Sequence, residues 1–493
     1  MDGIVFVTGV GAGERLKRRV GANRVFVADV SVAAFINPEA LAKQIKESSL
    51  EASLIVVPGM VQGDVSVITR ETGIPCVKGP KSMANIPLFL KYTGKRGFSP
   101  VKPAEDVLED EIRKENRTIL KQAGKPGKPI LTIGGKLPLN GLSRVVAEIP
   151  DAPLLAEKEL TSRAKYFADS GASIIDLGMV SGKDHSQKIP DMIDSVRESV
   201  NAPVSVDSMA EKEIMAAAEA GADLILSLDE KTISLSESIK VPCVIVPRTH
   251  DGKIPETVSE RVELLEKLVS QAACPAIADC LTNPLAHGFT WSIATYIKYR
   301  GRNPKTPMLM GAGNVTELAD ADSPGMNMML AAMASELDIQ LLFTTEASPK
   351  TRGCVRELST ACEMMYLAGQ KNQPPKDLGF DLLKLKDKRL IEPILDPKAN
   401  KLEAVKVSSK AKTGISRENF RIYVKDGKIT AIHYIGQDPK NLFTGDCAKV
   451  LYKEIIARRL ADGTHAAYLG KELAKAEIAL KLGKNYVQDE ELF

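Results

Sequence analysis

The chain has 493 residues, 44% hydrophobic and 26% charged, which is the composition of a folded globular protein and excludes a disordered or fibrous one. At roughly 100–200 residues per domain this length predicts two or three domains around a large buried core. Lys plus Arg number 66 and Asp plus Glu 63, a net charge of +3, so charge gives no general reason to expect nucleic acid or an anionic membrane as partner.

The N-terminus opens directly into a short apolar strand, without the basic stretch and long apolar run of a signal peptide. No uninterrupted apolar run approaches the ~18 residues of a membrane span. The 7 cysteines, without a CxxC pair, fit neither a zinc ribbon nor a disulfide framework. A reduced, cytoplasmic compartment is expected.

Residues 1–92 alternate β-rich runs at 3–8, 24–29, 54–58 and 75–78 with helical stretches such as 38–47, the pattern of a small doubly wound, Rossmann-like α/β domain. Residues 93–129 read as a linker: a Gly-, Pro- and base-rich start, a charged helix over 104–122, then a joint with GKP steps at 123–129. From 130 to 370 short apolar strands recur every 20–35 residues, at 145–148, 174–177, 204–207, 224–227, 244–246, 276–279, 308–311 and 340–343. Eight βα units over about 225 residues predict a TIM barrel. Residues 371–412 form a Lys- and Pro-rich connector. Residues 413–493 predict a small α+β domain: a hairpin turning at Asp426-Gly427, then helices over 446–461 and 466–482. The fold class is therefore α/β, a central (β/α)8 barrel flanked by an N-terminal doubly wound domain and a C-terminal α+β domain.

In such a barrel the reactive side chains sit at the C-terminal strand ends. Those positions hold Glu148, Asp176, Asp207, Ser227, Arg248 with His250, Asp279, Asn314 and 344–346. Several carboxylates at one mouth repel each other unless they meet a cation, a metal or a donor-rich ligand. A flat heterocycle with an amidine-like edge is such a ligand, because a carboxylate accepts two parallel N–H bonds from it. The plain alternative is that these acids cap the helices that follow them. It weighs most on Asp176.

Gly171-Ala-Ser-Ile-Ile-Asp-Leu-Gly178, Pro203-Val-Ser-Val-Asp-Ser208 and Ala220-Gly-Ala-Asp223, in that order, resemble the pterin-binding superfamily, which includes dihydropteroate synthase and the methyltetrahydrofolate–corrinoid methyltransferases. Over nearly its whole length the chain resembles the archaeal-type dihydropteroate synthase-related proteins. The N-terminal segments Ser31-Val-Ala-Ala34, Pro58-Gly-Met-Val-Gln-Gly-Asp64 and Gly79-Pro-Lys81 and the C-terminal Tyr468-Leu-Gly-Lys-Glu-Leu-Ala-Lys-Ala-Glu477 carry that likeness. The resemblance implies a reduced pterin as substrate or ligand. It places Asp207 in the pterin pocket, Asp279 on the 2-amino and N3 edge and Asn314 on the ring, with Asp176 among the pterin-side acids. Glu148 takes the place of an Asn near the diphosphate and its Mg2+. The chain departs from true synthases after the seventh strand, where Asn314-Val315-Thr316 replaces a Ser-Arg-Lys type motif, and after the fourth, where Leu226-Ser227 replaces an Asn-Asp pair. The Arg-x-His segment of the eighth strand is also missing. Lys350 and Arg352 are the residues expected to hold the diphosphate instead, and turnover of para-aminobenzoate is expected to be slow.

Three functions follow from the resemblance. One is a transferase joining 6-hydroxymethyl-dihydropterin diphosphate to an arylamine in tetrahydromethanopterin or folate biosynthesis, with Asp207, Asn314, Lys350 and Arg352 catalytic. The second is a methyltransferase between a methylated reduced pterin and a corrinoid protein, and the third a pterin-binding protein without catalysis. A homodimer is the assembly carried with them; neither nucleic acid nor membrane is expected as partner. Elsewhere, Gly9-Val-Gly-Ala-Gly13 with Asp29 is a partial dinucleotide fingerprint lacking its third glycine, which tight strand-to-helix packing explains equally. Gln62-Gly63-Asp64 and Gly79-Pro80 border a further polar-ligand position, and His465 is a lone histidine more in keeping with a cap than a ligand.

Overall fold

The structure is a computed structural model, and it describes residues 3–21, 24–123, 129–386 and 418–493. The GKP joint at 124–128 and the stretch 387–417, which holds most of the expected connector, lie outside the described residues. The chain divides into two compact units, Met1–Leu385 and Lys386–Phe493.

The first unit begins with β1 (Ile4–Gly9), β2 (Val25–Ala28), β3 (Leu54–Val57) and β4 (Cys76–Lys78), a parallel sheet in the order β2-β1-β3-β4. Val7, Ile55 and Val57 pack under the helices Pro38–Glu47 and Ser66–Thr72, while Phe6 and Val56 pack on the other face with Leu16, Phe89 and Ile112. Both faces are covered, which is why these strands read as continuous apolar runs. The charged helix expected over 104–122 is a short turn, Ala104–Val107, followed by Glu109–Ala123.

Two short strands, β5 (Leu131–Ile133) and β6 (Leu137–Leu139), pair antiparallel around Gly134 and Gly135, both at positive φ. No strand pattern is legible here from the residues alone, because each strand is three residues long and β6 contains Pro138. Then come β7 (Arg144–Ile149), β8 (Ile174–Gly178), β9 (Val204–Asp207), β10 (Leu224–Leu228), β11 (Cys243–Ile245), β12 (Ala276–Asp279), β13 (Met308–Gly311) and β14 (Leu341–Thr345). They form a closed parallel barrel, β14 pairing with β7 from Leu341↔Arg144 to Thr345↔Glu148. This is the (β/α)8 barrel expected from the strand repeat.

The barrel interior is filled by Val146, Ile174, Leu224, Leu226, Val244, Ile277, Leu309 and Leu341, and Ile133 and Leu139 of the β5–β6 hairpin join this cluster. The hairpin therefore plugs the end of the barrel opposite the strand C-termini. Ile133→Ala opens a cavity there and should cost ~2–5 kcal/mol of stability. An unchanged denaturation midpoint would show that the hairpin does not pack inside the barrel.

The second unit is a three-stranded antiparallel sheet of β15 (Glu418–Lys425), β16 (Lys428–Ile435) and β17 (Asp438–Gly445), followed by helices Ala448–Ala457 and Gly463–Leu482. The Asp426-Gly427 turn is present, with both residues at positive φ. β17 adds a strand to the predicted hairpin; its Pro439 and its largely exposed side chains hide it from a pattern search. Asp462 caps the last helix by accepting the His465 N–H at 2.8 Å, and the His465 ring lies 5.6 Å from that of Phe420, so this histidine is a packing residue.

Candidate functional site

Strand alternation builds the mouth of the barrel. Val146, Ile174 and Ile277 point into the barrel core, so Glu148, Asp176 and Asp279, each two residues later, point the same way and higher. Register sets Glu148 opposite Asp176 and Gly178 opposite Asp207. Gly178 makes room for this: a Cβ there would lie 2.4 Å from Glu148 Oε1.

Burial raises the pKa of all four acids. Glu148 is pushed up to about 7, first by burial and then by the nearby Asp207 and Asp151 charges. Asp176 is fully buried and held well above the carboxylate range by burial and by Asp207 and Glu148. Ser205 Oγ donates to its Oδ1 at 2.6 Å, while Oδ2 has no partner among the described residues. Asp207 is raised by burial, against the opposing Ser227 hydroxyl and Arg248 charge. Asp279 rises to about 6, chiefly by burial, and feels the Asp207 charge as well. Mutual repulsion of this kind is relieved by a ligand that brings N–H donors.

Asp279 differs in one respect from the expected two-oxygen anchor. Its Oδ1 already accepts the Tyr296 hydroxyl and, at 2.8 Å, the Leu281 N–H. The Oδ2 atom receives no donor from the described residues and is the open acceptor. Asn314 lies beside it: its Nδ2 donates to the Thr282 carbonyl at 2.9 Å, and the Thr282 hydroxyl is 3.4 Å from Tyr296 Oη. One of the two Asn314 amide N–H groups is thereby used. The mouth thus offers acceptors at Asp207 and Asp279 Oδ2, with the Asn314 amide beside them.

Tyr296, which sequence reasoning missed, sets the titration of Asp279. Tyr296→Phe removes a donor that favours the carboxylate, so the Asp279 pKa should climb further above about 6. Affinity for a donor-rich ligand needs the carboxylate, so its pH midpoint should move ~1 unit alkaline. Calorimetric titrations from pH 5 to 9 read this directly; an unmoved midpoint would remove Tyr296 from the site.

Beside Asp207 a cavity of about 740 Å³ opens between the loops after β8 and β9, and Ser227, Lys231 and Arg248 line its far side. Ser227 reaches it because a register shift in β10 puts this residue at φ 68° and turns its hydroxyl to Asp207. Arg248 lies 3.7 Å from Asp229 and is the cation felt by Asp207.

Lys350 and Arg352, the cations expected from sequence, sit elsewhere on the rim. Lys350 Nζ pairs with Asp320 at 2.9 Å, and Arg352 lies by the Tyr166–Glu346 pair. Neither is among the charges acting on Glu148, Asp176, Asp207 or Asp279. The reason is Glu317: it accepts from the Ala347 and Ser348 N–H groups and the Ser348 and Thr351 hydroxyls, and so pins the loop after β14 to the turn after β13. Such a carboxylate in a loop carries no sequence signature. Among the described residues no three His, Cys, Asp or Glu side chains are grouped to hold a metal ion. All 7 cysteines are free, and no described helix is long and apolar enough to cross a membrane.

Comparison with known proteins gives the following. Residues 153–274 match the pterin binding enzyme family, residues 417–489 the PterinBD-DUF4346 family, and residues 3–81 a family of unknown function, DUF6513. The uncharacterized protein MJ0107 of Methanocaldococcus jannaschii is 35% identical over 99% of both chains. The folic acid synthesis protein fol1 of Schizosaccharomyces pombe is 29% identical over 26% of this chain and 19% of its own length. Among solved structures, dihydropteroate synthase of Thermus thermophilus superposes with a TM-score of 0.37 at 19% identity, covering 46% of this chain and 94% of that one. The Yersinia pestis enzyme gives 0.38 at 16% identity, covering 49% and 99%.

Proposed function

The chain belongs to the family of the Methanocaldococcus jannaschii protein, with a barrel of the pterin-binding superfamily, and from that premise we propose that it is a transferase joining a 6-hydroxymethyl-dihydropterin diphosphate to an arylamine. The observation that carries this reading is the Arg248 cation set beside the acceptors of the mouth. Asp207 and Asp279 Oδ2 accept N–H bonds from a pterin edge, with the Asn314 amide beside them, while Arg248 and Lys231 line the adjoining cavity of about 740 Å³. That volume lies in the usual range for a small-molecule site.

In this reaction the bond from the 6-methylene carbon to the diphosphate oxygen breaks, and its electron pair leaves with the diphosphate. The arylamine lone pair forms the new C–N bond, and the amine gives up a proton. Arg248 stabilises the departing charge. Asp207 faces the cation that develops on the ring. Glu148, held at about 7, is the group in the mouth able to take the proton at neutral pH. A product of this kind serves tetrahydromethanopterin or folate biosynthesis, and the acceptor is an arylamine, a ribosylated one among them.

The Asn314 position favours one second reading, transfer of a methyl group from a methylated reduced pterin to a corrinoid protein. Arg248, the cation beside Asp207, weighs against it, since methyl transfer releases no anion for it to meet. The test is to give the purified chain 6-hydroxymethyl-7,8-dihydropterin diphosphate with an arylamine and follow diphosphate release. Release that depends on the amine is the expected result. Equal affinity for the pterin with and without its diphosphate would overturn the transferase reading.

A further inference from the structure

The N-terminal sheet carries a second site. In the order β2-β1-β3-β4 the chain leaves β1 toward β2 and later returns to the opposite side for β3. The loops after β1 and β3 therefore diverge, and a crevice opens between them at the strand C-termini, where open α/β sheets bind ligands. A cavity of about 350 Å³ lies at that place. Its walls are Phe6, Leu16, Val56 and Ile86.

Thr8, Ser31 and Lys81 break this apolar lining, and two of them bear on a ligand. Thr8 follows Ile4 and Phe6 on the same face of β1, lines the cavity and is only 3% exposed. Its hydroxyl has no hydrogen-bond partner among the described residues. The hydroxyl opens on the cavity and is free to hydrogen-bond a ligand seated there. The second group is Lys81. Its N–H donates to both Glu105 oxygens, at 2.8 and 3.0 Å, and the buried Glu105 also takes the Ser82 N–H and Asn85 Nδ2. The loop that carries Lys81 is thus fixed from behind. Its ammonium forms an ion pair with Asp377 at 3.7 Å, too long for a direct hydrogen bond, so a ligand oxygen can still take its N–H donors.

We propose that this crevice binds a small carboxylate with a flat apolar body, the body between Phe6, Leu16, Val56 and Ile86 and the carboxylate on the Thr8 hydroxyl and Lys81 ammonium. A dinucleotide does not fit this description. The glycine turn at 9–13 lacks the third glycine, and Asp29, where a ribose would be held, is not in the lining.

The experiment uses the full chain, with 4-methylbenzoate, the neutral isostere 4-methylbenzamide and inorganic phosphate as probes, read by saturation-transfer NMR. The expected result is that 4-methylbenzoate binds at least tenfold tighter than either of the others. Lys81→Met should remove that preference. Thr8→Val, which keeps the shape and deletes the hydroxyl, should weaken 4-methylbenzoate severalfold while raising the melting temperature, a combination that a merely structural Thr8 would not give. Arg248→Gln, in the barrel mouth, should leave the binding unchanged. Absence of 4-methylbenzoate binding at 10 mM, equal binding of acid and amide, tighter binding of phosphate, or loss of binding in Arg248→Gln alone would each overturn the assignment.

Discussion

Asp279→Asn should lower the affinity for 6-hydroxymethyl-7,8-dihydropterin by ~10²–10³-fold and leave the barrel folded. The asparagine oxygen can keep the bonds from Tyr296 and Leu281, so the amide nitrogen replaces the open Oδ2. A donor then faces the N–H donors of the ring. One charge-assisted bond is lost and a repulsive contact takes its place. Stability should move the other way. The Asp279 pKa is raised from 3.8 to about 6, so its favourable share of stability is complete below pH 3.8 and is lost as pH rises through 6. At pH 7 the ionised group costs on the order of 3 kcal/mol, which the neutral amide does not incur. The variant should therefore melt at the same temperature or higher at pH 7. Ligand binding has a matching signature: because N–H donors favour the carboxylate, binding near pH 5.5 should release protons, and calorimetry in buffers of different ionisation enthalpy counts them. An unchanged dissociation constant in the variant would remove Asp279 as the anchor.

The second large effect is expected at Arg248. Arg248→Met should slow diphosphate release by ~10²–10³-fold, the usual consequence of removing one preorganised contact to developing charge. The affinity for the pterin lacking diphosphate should hardly change, because Asp207, Asp279 Oδ2 and the Asn314 amide remain. Arg248→Lys should restore part of the rate, since a point charge returns without the planar fork. Lys350→Met and Arg352→Met are the controls: the geometry ties the first to Asp320 and sets the second by Tyr166 and Glu346. If those two variants lose the rate and Arg248→Met keeps it, the diphosphate sits on the loop after β14.

Much of this was legible in the residues alone. Strand recurrence is a local pattern, so the barrel and the doubly wound N-terminal sheet could be read from it, and in a parallel barrel a strand's last residues must face the mouth. That places Glu148, Asp176, Asp207 and Asp279 at one end without any coordinates. Sequence could not say which cation meets them. Arg248 and Lys350 both follow strands, and the choice between them depends on Glu317 pinning one loop and the β10 register shift opening another. Nor could it show that Tyr296 occupies one oxygen of Asp279, because a helix 17 residues away carries that hydroxyl. The β5–β6 plug and β17 escaped for a related reason: three-residue strands and a Pro-containing edge strand are held by what they pack or pair against, not by their own periodicity. Local chemistry along the chain therefore determined which elements form and which acids share the barrel mouth. Only the tertiary structure decided which oxygen of Asp279 is open, which arginine faces Asp207 and that the Thr8 hydroxyl meets a cavity, because those follow from contacts between residues that the sequence holds far apart.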